Sequence, residues 1–466
     1  MHPEGGGAPT RSTAADVRRP GYHFTVPVGW INDPLGVTWR ATPDGGRYEL
    51  FYQLNPASPV WAEACHWGQA SSPDLVRWQD PRVALAPGPA EAGCWSGSVV
   101  VDQGSPVIVY TSVLSGAPGM GRVALAEGDA KWRRWTPDPT GPVLPAPDPA
   151  LGLAHVRDPY VWRDGDGWRM LLGAGSTGGR PSVLQYSSAD LRRWRPDGVL
   201  AEPDDDLPGP GGTVWECPQL FRLDGSWVLM VSVWDEAPQG VACAVGDYDG
   251  HRFTARAWHR LAGDLLYATT TFLDAAGRRC ALSWVQEPGP AAGAWAGALT
   301  TPWLLGLDGD RVVVRPHPDV DSLRTGAVTG PGARDLGPEP VVSRCPGPAF
   351  DLLLRAAPAG SRITLTLTDD GGLLMSVLLD PTAAETVVSG AASTRTAAPL
   401  GATSDGAVVL RMLVDDGVVE LFPAGGAVLA ARLRPVRGPV QVAVAADGSG
   451  ARLERMELHA MQRVVP

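Results

Sequence analysis

Five short apolar runs, each entered through turn residues, recur along the chain: GGRYELFYQ, GSPVIVYTS, DGWRMLLGA, DGSWVLMVS and GRRCALSW. Aligned on Tyr48, Pro106, Trp168, Trp227 and Arg279, they stand 58, 62, 59 and 52 residues apart. A second element keeps the same beat, since SSPDLVRW, EGDAKWRRW, SSADLRRW and DYDGHRF end at Trp78, Trp135, Trp194 and Phe253. Strand-rich units of this length, with no 3.6-residue periodicity between them, are what a radial array of four-stranded blades requires. The chain is therefore expected to be all-β, with a five-bladed β-propeller over residues 21–315. Aromatic residues repeated at equivalent positions are expected to pack one blade on the next.

Composition changes over residues 316–340, where Pro and Gly cluster around one short helical possibility at DVDSLR, and a linker is expected there. Beyond it RITLTLT, GLLMSVLL, AVVLRMLV, VVELF, AVLAARL and PVQVAVA alternate with Gly- and Asp-rich turns, the pattern of a β-sandwich over 341–463. Residues 1–20 carry charges, Gly and Pro but no apolar block, and are read as a flexible arm without a signal peptide or membrane span. The six cysteines form no CxxC pair, which favours reduced thiols and a cytoplasmic location.

Fifty acidic against 39 basic residues give a net charge of −11, which disfavours nucleic acid and anionic membranes as partners and suits a small neutral ligand. The paired arginines at 133–134, 192–193 and 278–279 fit a solvated rim. No phosphate-binding loop, metalloprotease motif or nucleophile elbow is present, and the eight His do not pair at metal-ligand spacing, so neither a metal nor an organic cofactor is implied.

Chemistry concentrates just upstream of the repeated strands. The five motifs there are INDPLG, CWSGS, VRDPYVW, WECPQL and YATTTF, and three of them carry an acid: Asp33, Asp158 and Glu216. Equivalent positions in a propeller lie at equivalent radius, so the three carboxylates are expected to converge on the axis. Gathering acids raises at least one pKa, and a protonated carboxyl beside an ionised one is the equipment for glycosidic cleavage.

With these motifs the chain resembles glycoside hydrolase family 32, the invertases, inulinases and levanases. The resemblance covers residues 21–463 and rests on HFTVPVGWINDPLG, HVRDP and WECPQL in that order, with YELFYQLNP, HWGQASSPDLVRW, GCWSGS, DLLYATTTF and DDGVVELF agreeing. It implies a retaining β-fructofuranosidase in which Asp33 is the nucleophile, Glu216 the acid/base and Asp158 the transition-state stabiliser. It further implies that Asn32, Gln53, Ser96 and Arg157 bind sugar hydroxyls, while Trp30, Trp61, Trp95, Tyr267 and Trp284 form apolar walls. Sucrose or a short fructo-oligosaccharide is the expected substrate. A fructosyltransferase using the same intermediate and a non-catalytic fructan-binding protein are the alternatives. Three positions depart from the family: Leu35 where Asn is usual, and Gln69 and Arg77 where His is frequent. Leu35, two residues from Asp33, is expected to deprive the carboxylates of an amide donor.

Overall fold

The computed structural model describes residues 19–465 except 44, 118, 208, 290–292, 391–395 and 402, so most of the expected N-terminal arm lies outside the described residues. Among the described residues the strands form seven sheets, five of which are propeller blades. The innermost strands of blades I to V are Gly29–Arg40, Gly93–Asp102, Leu153–Asp164, Val214–Leu223 and Leu266–Leu273. Each of the five repeated runs identified in the sequence is the second strand of its blade: Arg47–Asn55, Ser105–Val113, Gly167–Ser176, Ser226–Asp235 and Arg279–Val285. The motif that precedes each run is the innermost strand itself.

The second repeated element holds the blades together. Trp78, Trp135, Trp194 and Phe253 all sit at or just before the fourth strand of their blade, and each joins the apolar core shared with the preceding blade. Burying such a ring contributes on the order of 2–3 kcal/mol, which suits a repeat whose units have no separate core. Between blades V and I the ring is closed by a segment rather than a full strand: Trp295–Ala296 pairs in parallel with Gly29 and Trp30. The adjoining Gly297 has φ +81°, and a Cβ there would lie 1.9 Å from the Ile31 carbonyl oxygen, so only glycine fits.

The stretch 316–340, expected to be a linker, is only partly one. After a 3₁₀ turn at Pro318–Leu323, Arg324–Thr329 and Arg334–Asp335 both pair with the final strand Arg452–Met461 and extend one sheet of the sandwich. Proline and glycine content hid these strands because they are edge segments, exposed along most of their length. Two other departures noted in the sequence are structural. Gln69 is fully buried and donates to Glu49 and to the Trp132 carbonyl while accepting from the Trp135 indole, tying blade I to blade II. Arg77 pairs with Asp74 and reaches Ser322 and Gln462 at the domain junction.

His23, six residues before the first strand, is clamped by the sandwich. Its Nδ1 lies 3.0 Å from Asp415 and its Nε2 2.9 Å from Glu420, all three side chains being fully buried. Asp415 also accepts the backbone N–H groups of Gly21, Tyr22 and His23, and Glu420 those of Thr301 and the Trp303 indole. Burial alone would depress the imidazolium, but the hydrogen bonds and charges of the two carboxylates outweigh it and raise the pKa to about 9. A folded pKa above the unfolded value of about 6.5 means that this stabilisation is complete below pH 6.5 and disappears as pH rises through 9. The window corresponds to about 3 kcal/mol at 1.36 kcal/mol per unit. Denaturant unfolding between pH 6.5 and 10 should therefore show a decline in stability in the wild-type protein that is missing from the profile of His23→Gln. Identical slopes in the two proteins would contradict it.

Candidate active site

Every innermost strand carries a β-bulge at the same height. The register slips between Ile31 and Pro34 in blade I, at Ser96 in blade II, and between Arg157 and Tyr160, Glu216 and Gln219, and Tyr267 and Thr270 in blades III to V. Asp158, Cys217 and Ala268, the first bulge residues of blades III to V, have φ values of +62°, +46° and +49°. A left-handed conformation costs a side-chain-bearing residue about 1–2 kcal/mol, and such bulges redirect side chains next to functional sites.

The bulges sort the site into layers. Arg157, Glu216 and Tyr267 are the last paired residues before the bulge on three neighbouring blades, and they touch side by side. The Arg157 Nε and Nη2 groups both donate to Glu216 Oε1 at 2.7 Å, and the Tyr267 hydroxyl donates to Oε2 at 2.5 Å. Ser96, Asp158 and Cys217 form the next layer, with the Cys217 N–H donating to Asp158 at 3.1 Å. Asp33, the second bulge residue of blade I, accepts from Ser96 Oγ at 2.5 Å and from the Asn32 amide at 2.8 Å. The Cys217 thiol lies 3.9 Å from Asp33 and 3.7 Å from Asp158. The three acids thus converge as expected, but from three successive positions of the repeat rather than from one.

Burial raises the Asp33 pKa to about 6; the Glu216 charge adds to the rise, while the Ser96 and Asn32 hydrogen bonds oppose it. Asp158 is raised by burial and by Glu216 against the pull of Arg157. Ser96→Ala removes one hydrogen bond that favours ionised Asp33. The acidic limb of kcat/KM against pH is therefore expected to move up by about one unit, taking a hydrogen bond to a charge as about 1.5 kcal/mol. A limb that stays in place would show that another group governs it.

Several residues have partners different from those expected. Arg157 spends its donors on Glu216 and on His155, 3.2 Å away, and Ser96 is held by Asp33, so both serve carboxylates before any hydroxyl. Tyr267 is more than a wall, because its hydroxyl holds Glu216. Gln53 is buried and donates to the Cys94 carbonyl at 3.1 Å. Trp30 stands edge-on to Trp284 at 5.6 Å and donates to Asn32, while Trp61, 49% exposed, stands edge-on to Trp95 at 5.9 Å. Leu35 is buried in the apolar core between blades I and II, opposite Phe51, so its place is one of packing rather than of missing donation to the acids.

Cys217 and Trp234 escaped sequence reasoning. The thiol stood in plain view inside WECPQL, but only the bulge register shows that it is the counterpart of Asp158. Trp234, one residue before the end of the second strand of blade IV, packs against the same apolar cluster as Trp30 and Cys217, a cluster that includes Trp284, with no motif to mark it. On the far side of the acids an axial cavity of about 150 Å³, bordered by Leu35, Val99 and Tyr160, shares Ser96, Asp158 and Cys217 with the site. It is smaller than ligand pockets usually are. Asp274, Cys280 and His317 also converge in blade V, but Asp274 is already ion-paired with Arg278 and bonded to His317.

The chain matches the family model described as the glycosyl hydrolases family 32 N-terminal domain over residues 23–316 and that described as glycosyl hydrolases family 32 C terminal over 358–460. It is 33% identical to the sucrose-6-phosphate hydrolase of Escherichia coli over 66% of its own length, and 29% identical to the levanase of Bacillus subtilis (strain 168) over 96%. The matches span 66% of the first relative's length and 71% of the second's, and only 60% of the 36% identical sucrose-6-phosphate hydrolase of Salmonella typhimurium. A solved beta-fructofuranosidase of Bombyx mori, 28% identical, superposes with a TM-score of 0.80 over 96% of this chain and 95% of that one. A mutant of that enzyme in complex with sucrose gives 0.81 over 97% and 96%.

Proposed function

The chain belongs to glycoside hydrolase family 32, and on that premise we propose that it is a retaining β-fructosidase releasing fructose from sucrose or short β-fructans. The observation that carries this reading is the pairing of two differently held carboxyls. Asp33 is presented by Ser96 and Asn32, and Glu216 by Arg157 and Tyr267. In the proposed reaction Asp33 attacks the anomeric carbon, a carboxylate–carbon bond forms, and the glycosidic electron pair leaves with the departing oxygen. Glu216 supplies that oxygen's proton and then takes one from the water that opens the intermediate. The raised pKa values of Asp33 and Asp158 support a cluster that retains a proton near neutral pH and titrates as a unit. Asp158, held by a backbone N–H, stabilises the oxocarbenium-like transition state and binds ring hydroxyls.

The substrate is taken to be uncharged, because Arg157, the guanidinium that meets the acids among the described residues, is already engaged by Glu216. Six free thiols, five of them buried, favour a reducing compartment, and we place the protein in the cytoplasm. Incubation with sucrose, sucrose 6-phosphate, inulin and levan tests the assignment: fructose release is expected, fastest from sucrose or short oligosaccharides, with the β-anomer appearing first by NMR. No fructose from any of the four would sink the hydrolase reading, and glucose with oligosaccharides in place of free fructose would make the protein a transferase.

A further inference from the structure

The acid Glu216 begins a row that crosses blade IV. Its register partner is Ser232, Ser232 pairs with Val241, and Val241 pairs with Ala262 on the outermost strand. At the outer part of that row, roughly 10–15 Å from Glu216 at 4.8 Å per strand, lies a second pocket of about 460 Å³. Its volume falls in the range of small-ligand sites.

The lining suits a sugar. Trp258 supplies a partly exposed ring for an apolar C–H face, and Gln239, Arg260 and Asp264 supply planar groups for hydroxyls. Arg260 is fixed by the Gln239 carbonyl at 2.5 Å and by Asp264, which sets the pocket's edge. His259 accepts the Val312 N–H at Nε2, which leaves its proton on Nδ1, and burial with the nearby Arg311 keeps the ring neutral, its pKa near 4. The pocket is also coupled to the acid. Trp258 packs on Trp215 with ring centroids 5.3 Å apart, and Trp215, the residue before Glu216, donates its indole N–H to the carbonyls of Pro210 and Gly211 in the pocket wall.

We propose that this pocket is a carbohydrate subsite that holds a sugar unit on the leaving-group side of a β-fructo-oligosaccharide while its terminal fructose is at the acids. The inference rests on the fructosidase reading. It makes the protein's preference depend on chain length: sucrose bound at Glu216 is too short to reach the outer strands of blade IV, and a tetrasaccharide is not.

Gly211 allows a direct test, since a Cβ there meets nothing within 4 Å and its φ lies outside the left-handed region. Gly211→Phe fills the pocket, and Gln239→Ala removes a hydroxyl partner. In both, kcat/KM for nystose is expected to fall about fivefold, the scale of one aromatic stacking contact, through a higher KM. Sucrose turnover measured in the same preparations serves as the control for folding and chemistry. Equal changes on sucrose and nystose, or no change on nystose in either variant, would overturn the subsite. Absence of sucrose and nystose hydrolysis by the wild-type protein would instead overturn the fructosidase reading beneath it.

Discussion

Asp33→Asn is expected to hydrolyse sucrose at least about 10⁴-fold more slowly than the wild-type protein, as loss of a covalent nucleophile does, while unfolding at the same or a higher temperature. The two halves have one cause. Burial and the Glu216 charge raise the Asp33 pKa from 3.8 to about 6 in the folded protein. A raised carboxylate pKa destabilises the fold: the cost is absent below pH 3.8 and fully present above pH 6, so at neutral pH the native state carries it. Asn has the same shape, still accepts from Ser96, and carries no charge. Thermal unfolding and a fructose-release assay on one preparation read both effects. A variant that retains turnover removes Asp33 as nucleophile, and one that melts several degrees lower makes the carboxylate a structural group instead.

Glu216→Gln should separate acid catalysis from the rest. Loss of general-acid assistance costs about 10²–10⁴-fold, and on sucrose a fall of about 10³ in kcat is expected because a sugar alkoxide is a poor leaving group. An aryl β-fructofuranoside, whose phenolate departs unaided, should lose far less in its first step. Gln can keep both contacts of the wild-type side chain, since its carbonyl accepts from Arg157 and the Tyr267 hydroxyl can turn to accept from its amide. The comparison is therefore not confounded by an orphaned guanidinium. Equal losses on the two substrates would rule out the acid role.

The blades, their order and the convergence of Asp33, Asp158 and Glu216 were legible in the sequence because repetition survives where individual strands are ambiguous. Five aligned runs carry information that no single run does, and the three acids fell inside the aligned motifs. The partners of those acids were not legible. Arg157 and Tyr267 read as sugar contacts because nothing in their spacing shows that Glu216 stands between them on the neighbouring blade. That fact depends on where each strand slips by a residue, and a bulge leaves little trace in a chain of small and polar side chains. The edge strands at Arg324–Thr329 and Arg334–Asp335 failed for a different reason, since exposed edges lack the apolar alternation by which strands are recognised. Leu35 was misjudged by proximity in sequence: two residues along a strand returns to the same face, but the bulge at Asp33 breaks that rule.

The bulges have a bearing on how such a molecule can change. Residues inside a regular ladder are constrained by their cross-strand neighbours, so exchanging them risks the blade. Arg157, Glu216 and Tyr267 are the last paired residues beside the slip, whereas the slipped residues Asn32, Asp33, Ser96, Asp158 and Cys217 stand outside the ladder pairing on blades I to IV. Selection can rewrite them almost as freely as a surface loop, yet they are held on a rigid ring rather than on a mobile one. A scaffold of this kind offers interchangeable teeth around the ring, and a new specificity needs a new set of teeth rather than a new wheel.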